Sequence, residues 1–126
     1  MASEISITAR LLAKKSYLVV DNNVGTVTAT MTGTTSASGI VSIPTTAAGT
    51  ALSLDGVTTA TMGYAFFRNL DATRFIELGV QVGGTFYAFA KLKFGEVAVT
   101  RMNQTNAPYA RADGAAANLQ YTILAD

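Results

Sequence analysis

The chain has 126 residues, a net charge of +1, and neither cysteine nor histidine, which excludes disulfides, thiolate chemistry and imidazole catalysis or ligation. Charged residues make up 13% of it, about half the ~25% usual for soluble domains. Such a surface suits burial against other protein, and the near-neutral balance offers no general attraction to nucleic acid or membrane.

The length fits a single domain, residues 1–126, able to bury a core. No window approaches the apolar length of a membrane span, and Met1-Ala2-Ser3-Glu4 lacks the basic-then-apolar run of a signal peptide, so a soluble, non-exported product is expected. Charge is unevenly spread: from Ser16 to Phe67 the only charged residues are Asp21 and Asp55. The basic residues gather at Arg10, Lys14 and Lys15, then between Arg68 and Arg111.

In chain order, Ser3 to Leu11 alternates Ile5, Ile7, Ala9 and Leu11 against Ser6, Thr8 and Arg10, the period of a half-buried strand, which Lys14-Lys15 is expected to break. Tyr17 to Val20 is a short apolar run ended by Asp21-Asn22-Asn23. Val27, Ala29 and Met31 then alternate strictly with threonines from Thr26 to Thr32. Threonine on the outward face suits a strand that is wet or lies on a neighbouring subunit. Gly33 to Gly39 reads as a small-residue loop, Ile40 to Ile43 as a short strand stopped by Pro44, and Ala51 to Leu54 as a further piece closed by Asp55-Gly56.

The stretch Gly63 to Met102 holds most of the aromatic residues and reads as four consecutive strands, expected to form a β meander. Gly83-Gly84 between alternating runs is a hairpin signal, Asn69 and Asp71 can bond their own backbone in the preceding join, and Gly95 punctuates the following one. Pro108-Tyr109-Ala110 reads as extended and Ala112 to Ala117 as a turn or short helical turn. Leu119, Tyr121 and Ile123 alternate in a last strand. About nine short strands spaced by roughly ten residues, with no sustained helical period, specify an all-β antiparallel two-sheet β-sandwich, jelly-roll-like.

Catalytic candidates are few. Asp71, Glu77 and Glu96 could form an acid/base pair of the glycosidase kind. The structural alternative makes Asp71 a turn residue, sets Glu96 at a strand start, and gives Glu77 Arg74 or Lys91 as a partner. The glycines at Gly79, Gly83 and Gly84 lack the lysine and helix of a phosphate loop, and the carboxylates are too scattered for calcium. No cofactor or metal is expected. Tyr87, Phe89, Lys91 and Lys93 alternate with Phe86, Ala88, Ala90 and Leu92, so one face of that strand would be core and the other would carry two rings and two lysines. Such a face fits a single-strand nucleic-acid platform, but better a sheet edge against a neighbour, with lysines blocking further edge pairing.

Gly63 to Thr73, then Ile76-Glu77-Leu78-Gly79, Phe86-Tyr87, Leu92 to Glu96, Tyr109 to Ala112, and the ending Leu119 to Leu124 together resemble small virion structural proteins of tailed bacteriophages. The likeness covers the second half; Phe94 stands where that pattern commonly has proline, and Arg74 where asparagine is frequent. The resemblance implies an all-β building block of a particle with no catalytic residues, located in the virion. Expected partners are other copies of the chain, in a trimer or higher oligomer, and capsid or tail proteins. Arg68, Arg74, Arg101 and Arg111 are the candidate anchors to an acidic partner, beside Tyr87, Phe89, Lys91 and Lys93. From a different class, a glycan-binding sandwich would stack sugars on Tyr64, Phe66, Tyr87 and Tyr109. A hydrolase would need Glu77 and Glu96 facing one cleft.

Overall fold

Alternating apolar and polar side chains carry most of this chain into antiparallel strands. The computed structural model describes residues 4–126 and divides the chain into two compact units, Met1–Thr32 and Gly33–Asp126.

In the first unit, β1 (Ile5–Lys15) pairs with β2 (Leu18–Ala29) as one long hairpin. The expected break at Lys14-Lys15 does not occur: both lysines lie in β1, exposed, and the chain reverses over Ser16-Tyr17, with Ser16 at φ +53. Lysine is depleted in strands but not forbidden where its ammonium reaches water. The expected start at Ser3 lies outside the described residues. The two runs read separately in residues 17–32 form the single strand β2, because an extra residue is absorbed between them: Thr8 pairs with Thr26 but Arg10 with Asn23, so Val24 and Gly25 together oppose Ala9. Gly25 sits there at φ +69, its amide donating to Asn23 Oδ1 at 2.9 Å. A left-handed glycine in a bulge costs little, where a side chain would be strained.

The bulge also decides the faces. Directly paired residues share a face, and β1 keeps its alternation throughout. Ile7, Leu11 and Ala13 therefore share a face with Val27 and Ala29 before the bulge and with Val20 and Leu18 after it, together with Asn22 and Lys15. Ser6, Thr8, Arg10, Leu12 and Lys14 take the other face with Thr26, Thr28, Asn23, Asp21 and Val19. There the Thr8 and Thr26 hydroxyls are 3.1 Å apart, and Arg10 donates twice to the Asp21 carboxylate at 2.9 Å.

The second unit is a sandwich of two four-stranded antiparallel sheets. One holds β3 (Ser36–Ile43), β10 (Ala117–Ala125), β5 (Met62–Asn69) and β8 (Val97–Arg101) in that order. The other holds β4 (Thr50–Ala51), β9 (Tyr109–Ala112), β6 (Ile76–Val82) and β7 (Thr85–Leu92). The first strand of this unit pairs with the last, and every connection except the β6–β7 turn crosses between sheets: this is the jelly-roll order, one form of the two-sheet sandwich that the turn spacing led one to expect. Ile43, Met62, Phe67, Leu119 and Ile123 of the first sheet meet Ile76, Leu78, Leu92 and Ala110 of the second in one buried cluster. The Tyr121 hydroxyl donates to Ser53 O at 2.9 Å, and burial raises its pKa.

The meander expectation is corrected here. All four strands exist, and Gly83-Gly84, both at positive φ, makes the predicted hairpin turn. But β5 and β8 belong to one sheet and β6 and β7 to the other. The side chain of Asn69, fully buried at the end of β5, ties both crossings. Its Nδ2 donates to Arg74 O at 2.8 Å and Leu92 O at 2.9 Å, while Oδ1 accepts from the Asp71 amide at 2.9 Å. Its backbone bonds Gly95 and Glu96. Strand β3 likewise begins at Ser36, inside the expected small-residue loop, because the edge of β10 supplies a partner ladder that needs no bulky side chains.

Candidate interaction surfaces

Three surfaces emerge from these elements. The first is the apolar face of the hairpin, where Leu11, Leu18 and Val27 are 63%, 58% and 44% exposed.

The second is the outer face of the sheet β3-β10-β5-β8. Opposed pairs put Tyr64, Phe66 and Arg68 of β5 beside Arg101, Val99 and Val97 of β8. Val97, Val99 and, on the far edge, Ile40 are exposed. Arg101 donates to the Asp126 carboxylate and lies 4.6 Å over the Tyr64 ring; the Asp126 partner raises its pKa further. Arg68 makes no ion pair among the described residues.

The third lies at one end of β7. The rings and lysines expected on a single face of that strand are split, because Leu78 pairs with Ala90 but Gly79 with Ala88, leaving Phe89 as an extra residue. The phase slips there. Phe86, expected in the core, is buried on the outer face of its sheet, with the Arg111 guanidinium 4.8 Å over its ring. Tyr87 pairs with Val80 on the opposite face from Lys91, which pairs with Glu77. Phe89 and Val80 line a hollow with Arg101 and Met102. Lys91 and Lys93 instead join Arg74 around a separate hollow with Thr73, Phe75 and Phe94. Lys91 Nζ rests 3.8 Å over the Phe75 ring. Strand β7 is a sheet edge, as its lysines suggested.

The carboxylates considered for catalysis have other partners. Asp71 Oδ2 accepts from the amides of Thr73 and Arg74 at 3.0 and 2.6 Å, and these bonds lower its pKa. Glu96 Oε2 accepts from the Lys93 amide at 2.8 Å. Glu77 pairs with Arg111 at 2.8 Å, where Arg74 or Lys91 had been the expected partner. Arg111 also donates to Ala47 O at 3.0 Å, so its fork is filled within the chain. Of the four arginines chosen as anchors, Arg101 and Arg111 have internal carboxylate partners, whereas Arg68 and Arg74 have none among the described residues. Among the described residues no cluster of three His, Cys, Asp or Glu could hold a metal ion, and no helix is long and apolar enough to cross a membrane.

Asn69 was readable from sequence only as a turn residue; its burial depends on two crossings distant in the chain. The hairpin's apolar face was hidden by the phase change at Gly25, which a bulge signal, a lone glycine inside an alternating run, could have exposed. Comparison with protein-family models, curated proteins and solved structures finds no match for this chain.

Proposed function

We propose that this chain is a non-enzymatic structural component of a tailed-bacteriophage virion that oligomerises and bridges neighbouring subunits, with decoration of the capsid as its place in the particle. The observation that carries this reading is the hairpin β1–β2, one face of which is mostly apolar and open at Leu11, Leu18 and Val27. A two-stranded ribbon is marginal alone in water and gains stability when a second layer covers its apolar side. The occupant is another copy of the chain, which offers a sheet face carrying Ile40, Phe66, Val97 and Val99 beside Arg68 and Arg101. A contact between unlike patches on identical chains generates rings when the rotation closes. The apolar part of this contact buries area without desolvating ions. The phage assignment rests on the resemblance in the second half of the sequence.

Native mass spectrometry of the purified chain tests the assembly. An oligomer is expected for the natural sequence, and monomers for the double variant Leu11→Asp, Leu18→Asp with its near-ultraviolet dichroism retained. A natural chain that stays monomeric at every concentration sinks the proposal. Copy number in intact particles then separates a shell role from a tail ring.

A further inference from the structure

We infer that the hollow between Arg74, Lys91 and Lys93 is a docking site for a short acidic segment of a partner protein. This inference is independent of the hairpin and its oligomerisation.

The cations come from two places that the fold brings together: Arg74 from the β5–β6 crossing, and Lys91 and Lys93 from the end of β7 and the crossing that follows. All three are exposed, and none makes an ion pair among the described residues. The carboxylates around them are directed elsewhere. Asp71 faces turn amides and lies close enough to Arg74 for a weak attraction, Glu96 bonds the Lys93 amide, and Glu77, opposite Lys91 in the ladder, is held by Arg111. Asp113, whose amide donates to Phe75 O, pairs with none of the three. Cationic side chains without an ion-pair partner among the described residues are therefore concentrated at the hollow although the chain as a whole is nearly neutral.

Phe75 and Phe94 line the same hollow, and Phe94 is 61% exposed. An apolar side chain flanked by carboxylates matches both features at once: ring contact in the middle, charge contacts around it. A nucleic acid fits less well. The Phe75 ring is already covered by Lys91, which leaves one ring for base stacking. Three cations and a net charge of +1 give little of the extended field that polyphosphates follow.

The test is fluorescence anisotropy with two labelled probes on the full chain: a short peptide in which glutamates flank a leucine, and single-stranded oligothymidylate of equal charge. The peptide is expected to bind, and more weakly as salt rises. Reversing the cations (Arg74→Glu, Lys91→Glu, Lys93→Glu) should weaken it about tenfold or more. The milder pair Arg74→Gln, Lys93→Gln, which leaves Lys91 on its ring, should weaken it by a smaller factor, and reversing Lys14 and Lys15 should leave it unchanged. No binding by the natural chain, equal binding by the reversed and neutralised variants, or displacement of the peptide by the oligonucleotide would each overturn the inference.

Discussion

The hairpin and the sandwich are built from the same alternating chemistry, yet only one has closed over its apolar residues. In the sandwich two sheets face each other, and Phe67, Ile76, Leu119 and Ile123 are fully excluded from water. In the hairpin the equivalent positions, Leu11, Leu18 and Val27, remain open. A sheet has two faces, and alternation satisfies only one of them unless a second layer is present. The sandwich makes its own second layer from its own strands, whereas the ribbon of β1 and β2 has the pattern of a half-buried sheet without having been completed.

Truncation separates the two regions most sharply. Phe67→Ala removes a ring from the closed core and should cost about 3–5 kcal/mol in chemical denaturation. Leu11→Ala should change the stability of the monomer by less than about 0.5 kcal/mol, while reducing the oligomer fraction seen by light scattering. If both variants lowered monomer stability alike, the contrast between the regions would fail.

Asn69→Ala comes next. It strands the carbonyls of Arg74 and Leu92 and the Asp71 amide in a buried corner, a loss on the order of 3 kcal/mol. Hydrogen exchange should show the amides of both crossings opening together, with the hairpin unaffected.

Within the hairpin, Gly25→Ala places a side chain at φ +69 and should cost about 1–2 kcal/mol there. Cross-strand proton contacts between Ile7 and Val27 and between Ala13 and Val20 would report whether both halves of the apolar face still lie on one side. Their persistence would mean that the bulge does not require glycine.

The smallest effect is electrostatic and belongs to the sandwich. Hydrogen bonds from the Thr73 and Arg74 amides hold the Asp71 pKa below its ordinary value of 3.8. A lowered carboxyl pKa stabilises the fold above the unfolded value, and that contribution is lost as pH falls through the folded one. Thermal melting of Asp71→Asn should therefore fall less than that of the natural chain as pH drops from the unfolded value through the folded one, with the two differing most near neutrality. Parallel acid limbs would remove Asp71 from the account.

How much of this was legible in advance varied from element to element. The β6–β7 turn at Gly83-Gly84 and the Asx turn at Asn69 and Asp71 were readable, since each depends on residues adjacent in sequence. The faces of β7 were not, because the extra residue Phe89 slips the phase, and period-two reading assumes no slip. Of the candidate anchors, exposure could be guessed for each arginine, but that Arg111 would turn to Glu77 and Arg101 to Asp126 depends on strands far apart in the chain.

By itself, then, the sequence determined that this protein would be antiparallel β, that its turns would fall near their observed places, and that imidazole and thiol chemistry were unavailable to it. Those properties are local or compositional. Tertiary structure decided the partners: β3 against β10, β5 against β8, Asn69 between two crossings, and Arg74 beside Lys91 and Lys93. Ladder hydrogen bonds join backbone groups that every residue type shares, so alternation specifies which side of a strand is buried but not which strand lies next to it.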